Sequence, residues 1–512
     1  MSADTEVIVI GSGIGGLSCA AMLAYYGFDV VVCESHSIPG GAAHSFQRGG
    51  YTFDSGPSLY SGLSYSPSSN PLRQVLDAIE EDIEWTNYDA WGCHLPEGSF
   101  SAQIGAEPFD HILADLRGAD AVRQWKALQA AMKPLGEAAI AIPTAAFRFN
   151  PGVLLTLGKY APAFAQYAKY AKQLTGPFSQ VVDSVVTDPF IKNWLDLLSY
   201  LLSGLPAAGT IGAEMAFMFA EWYRPDVVLD YPKGGSGAII DALVRGITRR
   251  GGEVRCGAHV EEILVENNRA TGVRLRNSEE IRCDRAVISN ASTWDTLTLI
   301  PDQAVPKAFR TRRQETPVSP SFMHLHLGID AQDLPGDLDC HYIVVNDWES
   351  GVTAEQNVIA VSIPSLLDPD LAPEGKHNVH VYTPATEPFE LWQGLDRASD
   401  EYKQLKVERS EVMWQALERI IPDIRSRCEL TLTGTPLTHA RYLRRHQGSY
   451  GPALWAGEQT FPGPKTPLSQ LLCCGDSSFP GIGVPAVAAS GMIAANTLAP
   501  VQKHLQMLKQ VA

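Results

Sequence analysis

Three apolar stretches open the chain. Residues 6–10 form a short apolar run, residues 17–26 a longer one rich in Ala and Leu, and residues 28–33 a second short run ending at Glu34. Short apolar runs bounded by turn residues predict buried strands, and the longer stretch predicts a helix. The same sequence of elements returns near the other end. Residues 471–474 predict a strand, Gly475-Asp476 and Pro480-Gly481-Ile482-Gly483-Val484 a turn, and an Ala-rich helix runs on through Ser490 and Gly491. Between these ends, residues 60–230 show mostly helical spacing, and residues 301–460 mix both periods. Residues 322–327 alternate like a half-buried strand, with 358–363 and 379–383 as its expected neighbours. No internal repeat or low-complexity tract interrupts this order.

The turn after the first strand reads Gly11-Ser-Gly13-Ile14-Gly15-Gly16, a match to G-x-G-x-x-G. Gly11 permits the tight turn, Gly13 lets a pyrophosphate approach the backbone, and Gly16 lets helix and strand pack closely. The helix N-terminus, with Ile14 and Gly15 in its first turn, offers unpaired N–H groups to phosphates. Glu34, roughly twenty residues past the turn, stands where a carboxylate meets an adenosine ribose. Gly40 and Gly41 follow and let the chain pass close to a cofactor. At the far end, Gly475, Asp476, Gly483 and Val484 bring a second helix start toward a ligand. NAD and FAD enzymes both begin this way. The glycine clusters at Gly234 and Gly448 are expected to lack the strand-turn-helix setting, so no second dinucleotide domain is expected, and the electron donor stays open among substrate, quinone, oxygen or another reductase.

Bulk properties narrow the partners. The 512 residues exceed the usual size of one domain. Forty basic against 57 acidic residues give a formal charge of −17, which disfavours nucleic acid and generic attraction to anionic lipid. Nine scattered cysteines without C-x-x-C fit a reducing compartment and predict neither structural disulfides nor a metal site. No signal segment precedes the first strand and no apolar run reaches the roughly 18 residues of a spanning helix. The expectation is a cytoplasmic protein, with contact to a membrane face possible. Residues 138–170 are the reason. They are rich in Ala, Leu, Phe and Tyr, broken by Pro143, Pro151 and Pro162. Lys159, Lys169 and Lys172 sit beside Tyr160, Tyr167 and Tyr170. Such a segment lies at a bilayer interface or forms a lid over an apolar pocket.

These motifs together resemble the superfamily of FAD-dependent amine oxidases and bacterial-type phytoene desaturases. Tyr231-Pro232-Lys233-Gly234-Gly235 is similar to its Y-P-x-G-G element, and residues 254–273 to its next pair of strands. There Val260 matches a residue whose backbone meets the adenine, although a core valine fits that position equally. Further blocks resemble the carotenoid (prolycopene) isomerase branch: Ser289-Asn290-Ala291-Ser292-Thr293-Trp294-Asp295, Asp339-Cys340-His341 with Asp347-Trp348, residues 362–383, Trp392-Gln393-Gly394-Leu395 and residues 434–452. The stretch after Asp54 and much of the segment before Asp230 depart from that branch.

The resemblance implies an α/β fold: a Rossmann-type FAD-binding domain of the glutathione reductase / p-hydroxybenzoate hydroxylase kind with an interleaved α+β substrate domain. FAD binding falls to residues 1–59, 231–300 and 461–512, a helical lid to 60–230, and a substrate sheet to 301–460. It implies FAD as cofactor, a carotenoid as substrate, and cis–trans isomerisation through reduced flavin without net redox change. Desaturation, saturation or hydration of a polyene are the alternatives within the superfamily. A flavin-free binding protein like the Rab GDP-dissociation inhibitors is the alternative outside catalysis. His326, which matches a histidine of the branch, and Arg441, in a basic block with Arg444 and Arg445, are the candidate catalytic side chains. Asp54 is expected to support the loop after the first strand-helix-strand unit.

Overall fold

The strand Thr5–Ile10 is apolar on both faces, and it sits in the middle of a sheet covered on both sides. The computed structural model describes residues 3–511 apart from 57, 106 and 225. Val30–Cys33 and Glu280–Ser289 flank the first strand, both parallel to it. Glu253–Arg255 extends one edge, and Arg269–Leu275 with Val260–Glu266 extends the other. Leu471–Cys473 pairs in parallel with Glu280–Ser289. The two ends of the polypeptide therefore share one sheet.

The first helix spans Ile14–Tyr25. It begins three residues before the Ala/Leu stretch, inside the glycine loop itself. The C-terminal helix Val484–Leu498 packs across it. A Cβ at Gly491 would lie 2.8 Å from Cys19 N and closer still to Gly15 O, so only glycine permits this crossing. Tyr26 Oη donates to Asn496 Oδ1 at 2.6 Å and closes the far end of the pair.

The second large sheet runs in the order Cys428–Gly434, Ser321–Asp330, Lys376–Glu387, Val358–Ser362, His341–Val345, Ala90–Leu95, Gly98–Gln103. One expectation is corrected here. The 322–327 strand has the 379–383 strand as one neighbour, but the other is Cys428–Gly434, and Val358–Ser362 lies one strand further out. Alternation fixes which face a residue takes, not which strand lies beside it. The 60–230 segment is mostly helical, as its spacing predicts, and carries strands besides. It contributes Ala90–Leu95 and Gly98–Gln103 to this sheet, and Tyr60–Ser61 and Trp85–Tyr88 pair with Leu229–Pro232.

On Ser321–Asp330, Met323, Leu325 and Leu327 face a core closed by the helix Asp400–Ile420. The alternate residues face the dinucleotide domain: His326 packs on Phe46 and Phe53, and the Tyr51 ring lies over Gly328. Above this face stand the helices Ala119–Ile140, Pro189–Ser203 and Gly212–Trp222, joined through Trp125, Phe190, Trp194 and Phe219. Asp188 caps one of them by accepting from Phe190 N at 2.9 Å and Ile191 N at 3.2 Å, and Gly204 ends it with φ +76°.

Candidate functional site

Five glycines converge on Asn290. Gly11 makes the turn with φ +91°, and a Cβ at Gly16 would strike its carbonyl oxygen. Added Cβ atoms would lie 3.0 Å from Asn290 Nδ2 at Gly13, 2.7 Å from Asn290 Oδ1 at Gly15, and 2.6 Å from the same oxygen at Gly475. Gly41 would meet Gly13 Cα at 3.0 Å, and Gly40 bridges to Gly13. Side chains would fill this cradle. No side chain caps the helix at Gly13, which leaves the first-turn N–H groups of Ile14, Gly15 and Gly16 for an anion. Asn290 is a site residue that motif reading did not single out. Its only signal was its place in the Ser-Asn-Ala block.

Glu34 is 7% exposed. Its Oε2 accepts from Ser12 N at 2.9 Å and Ser12 Oγ at 2.6 Å, and its Oε1 accepts from His36 N at 2.7 Å. The glycine loop and the acid are thus one rigid unit, with lone pairs of the carboxylate left for ribose hydroxyls. Val260 follows Ala258, whose N–H bonds Glu34 O at 2.8 Å. The Val260 side chain itself is in the core.

At the other end, Gly475 turns with φ +91°, and Gly483, φ +96°, leads into Val484 at an uncapped helix start. Asp476 forms an ion pair with Arg445 at 2.6 Å. Arg445 also donates to Ser449 O at 2.8 Å and Tyr450 O at 2.6 Å. Of the three arginines in that block, Arg445 is therefore the one beside the glycine-aspartate segment. Arg441 is not: it is exposed, lies over the Tyr442 ring, and shares a 240 Å³ surface cavity with Ser35, His36, Ser37 and Arg444, at the Glu34 end. That location removes it from the catalytic candidates.

The glycine cluster at Gly234 needs a correction as well. It does stand in a strand-turn-helix setting, between Leu229–Pro232 and Gly237–Thr248. Its amides are already taken. Ser236 N donates to Asp54 Oδ1 at 2.8 Å, Gly237 N to Ser45 Oγ at 2.7 Å, and Gly234 N to Asp368 Oδ2 at 2.7 Å. Asp54 occupies the place a phosphate would take, and it also accepts from Tyr231 Oη at 2.8 Å. Burial raises its carboxyl pKa against these bonds. Asp54 is a joint between elements, as its position after the first unit suggested.

His326 lies in a buried cluster that no spacing announced. Its Nε2 donates to Asp54 O at 3.1 Å. His324 Nδ1 and His380 Nε2 share a hydrogen bond of 2.7 Å, and His326 stacks on His380 with centroids 4.3 Å apart and planes 7° from parallel. The ligand atoms of these three histidines lie within 4.8 Å of one another. Parallel stacked rings keep their lone pairs in parallel planes, however, and do not converge on one ion. Burial holds the rings neutral, His326 at about 4 and His324 and His380 well below the ordinary imidazole range.

An aromatic cluster adjoins the segment between Asp476 and Gly483. Tyr382, Tyr450, His439 and Glu214 are half-buried. Phe322 joins them, with ring centroids 5.6 Å from Tyr450, 5.5 Å from His439 and 6.4 Å from Tyr382. Arg445 ties the Tyr450 backbone to Asp476, and Ile482 packs against Gly451.

A two-part cradle built from both chain ends, beside an aromatic cluster, defines an FAD-dependent enzyme with a Rossmann-type cofactor domain. The sequence profile of the flavin containing amine oxidoreductases matches residues 14–499, and the chain belongs to that family, in its carotenoid isomerase branch. It is 33% identical to the chloroplastic prolycopene isomerase of Daucus carota, over 97% of this chain and 80% of that one. It is 28% identical to the all-trans-retinol 13,14-reductase of Danio rerio, over 88% and 77%. The fold matches an oxidoreductase from Methanosarcina mazei with a TM-score of 0.64 at 21% identity, over 95% of this chain and 99% of that one.

Proposed function

We propose that this enzyme isomerises cis double bonds of an apolar polyene of the carotenoid class, without net redox change. The observation that carries this reading is the aromatic cluster of Phe322, Tyr382 and Tyr450, tied through Arg445 to Asp476. A hydrocarbon offers no charge to recognise, so its binding rests on burial, worth roughly 25 cal/mol per Å². Bound FAD in its reduced state supplies electron density that lowers the barrier to rotation about a conjugated bond. The chain's own residues do the rest. Phe322, Tyr382 and Tyr450 hold the polyene and exclude water. Arg445 and Asp476 lock the cluster to the cofactor segment.

The proposal includes work at a membrane surface in a reducing compartment, where such a substrate dissolves. In support, Leu154 is 78% exposed and Leu155 64%, with Ile140, Phe149 and Phe164 exposed nearby. Residues 138–182 contain no Asp or Glu in an otherwise acidic chain. Phe147 and Phe149 contact Phe479, between Asp476 and Gly483, so this patch adjoins the cofactor segment. All nine cysteines are free. Among the described residues no helix is long and apolar enough to cross a membrane.

Expression in cells that accumulate poly-cis carotenes, with pigments analysed for geometry and mass, tests the reading. The expected product has unchanged mass and more trans bonds. A gain of hydrogen, a gain of water, or a loss of hydrogen with an acceptor consumed would replace isomerisation by saturation, hydration or desaturation respectively.

A further inference from the structure

The loop that follows Glu34 and the turn that follows the helix Pro436–Tyr442 enclose the 240 Å³ cavity lined by Ser35, His36, Ser37, Arg441, Tyr442 and Arg444. Its two walls come from distant parts of the chain, and no acid lines it. Arg441 lies over the Tyr442 ring, 5.5 Å from its centroid. Neither Arg441 nor Arg444 has a carboxylate partner or a hydrogen bond among the described residues. By contrast, Arg282 and Arg425 each pair with two carboxylates. The two guanidinium charges in the cavity therefore add. Arg444 has φ +52°, a left-handed conformation that an arginine rarely takes. That turn brings Arg444 into the cavity with Arg441 while Arg445 goes to Asp476. Its charge is felt at His259, beside Val260, whose imidazole is held below its ordinary range by burial, by Arg276 and by Arg444.

The other wall leads to the glycine cradle. Ser35 Oγ donates to Glu34 Oε1 at 3.4 Å. Ile38 N donates to His36 Nδ1 at 3.0 Å, which leaves the His36 Nε2 as a donor. The His36 ring meets the Tyr442 ring edge-on, with centroids 5.6 Å apart, and the His44 ring at 5.4 Å. His44 Nδ1 in turn donates to Gly41 O at 2.7 Å. The cavity thus lies along the strip of chain that joins the ribose acid Glu34 to Gly40 and Gly41.

We propose that this cavity binds a phosphate group of a nucleotide, through Arg441 and Arg444. A guanidinium presents paired N–H donors that match two oxygens of one phosphate, and two such forks stand here without a competing carboxylate. The Ser37 hydroxyl and the His36 imidazole supply further donors. FAD held by Glu34 and the cradle carries such a group along this loop, and a free nucleotide carries the same group. The chemistry is shared, and the experiment below separates the two sources. In either case the occupant bridges the 35–37 loop and the 441–444 turn, which otherwise meet through the His36 and Tyr442 rings. The proposal needs only the FAD-binding fold and does not rest on the polyene reading.

The test uses the purified full chain in two arms. In the first, flavin-free protein is titrated with FAD and followed by flavin fluorescence. In the second, FAD-loaded protein is titrated with ADP and with inorganic phosphate by calorimetry. Arg441→Gln combined with Arg444→Gln is expected to weaken binding about 10-fold or more in at least one arm and to flatten its salt dependence. Both side chains are exposed, so the denaturant midpoint of the flavin-free protein should stay at the wild-type value. Arg441→Lys with Arg444→Lys should recover part of the loss, because the charge returns without the fork. Arg312→Gln, an exposed arginine outside the cavity, should change neither arm. A loss in the FAD arm assigns the site to the cofactor's own diphosphate. A loss confined to the second arm assigns it to a separate nucleotide. Unchanged FAD affinity in the double glutamine variant, together with no arginine-dependent binding of ADP or phosphate, overturns the proposal, as does an equal loss in Arg312→Gln.

Discussion

Gly491→Ala perturbs the one crossing on which the cofactor cradle rests. The new Cβ would lie 2.8 Å from Cys19 N and closer to Gly15 O, where an ordinary contact begins at 3.4 Å. The helices Ile14–Tyr25 and Val484–Leu498 must therefore part by more than about 0.6 Å, because both obstacles are backbone and cannot rotate aside. Alanine in a helix interior returns roughly 0.5–1 kcal/mol relative to glycine, whereas overpacking costs roughly 1–3 kcal/mol. With backbone as the obstacle, the upper part of that range applies and the net loss is about 1–2 kcal/mol. The displacement also carries Val487 O and Gly475 away from Gly15, which sits among them. A loosened pyrophosphate cradle should weaken FAD binding about tenfold, equivalent to roughly 1.4 kcal/mol. Denaturant midpoints of apo and holo forms, with a flavin fluorescence titration, measure both effects. Gly158→Ala is the control: this exposed helical glycine has nothing within 4 Å, and no loss is expected. Wild-type midpoint and FAD affinity in Gly491→Ala would refute the reasoning.

Glu34→Gln places an amide N–H₂ against Ser12 or His36 donors and should weaken FAD binding by about 10–100-fold, roughly 1–3 kcal/mol; an unchanged titration contradicts it. Arg445→Met removes the Asp476 pair and both carbonyl bonds, with an expected loss of about 1–3 kcal/mol in denaturant unfolding and a perturbed flavin spectrum. The buried histidines make stability acid-sensitive. His326 is held at about 4 and His439 at about 3, so below about pH 6.5 the unfolded chain binds protons that the native state refuses. Unfolding free energy should therefore fall as pH drops from about 6.5 toward 4, and His326→Gln should flatten that slope by one proton. Leu154→Ser with Leu155→Ser should abolish co-sedimentation with lipid vesicles while leaving FAD binding intact; retained co-sedimentation would move the membrane contact elsewhere.

What the linear chain determined about this protein was local and backbone-borne. Gly11 to Gly16, Glu34, Gly40 and Gly41 work through a turn, a helix start and a spacing of some twenty residues, all of which are set within one continuous stretch. Gly475 and Gly483 were legible as turn residues for the same reason. Tertiary structure alone decided which side chains meet. Asn290 becomes the keystone of the glycine cradle because parallel pairing brings Glu280–Ser289 between the two chain ends. The glycine turn at Gly234 has the local form of a phosphate site, and only the arrival of Asp54 makes it a structural joint. Arg445 rather than Arg441 reaches Asp476 because the chain leaves its helix at Tyr442 and turns at Arg444, φ +52°. His326 comes to lie on His380 through cross-strand register. Spacing along a backbone constrains a few neighbouring dihedral angles. Burial and partnership depend on long-range packing, which no single segment encodes.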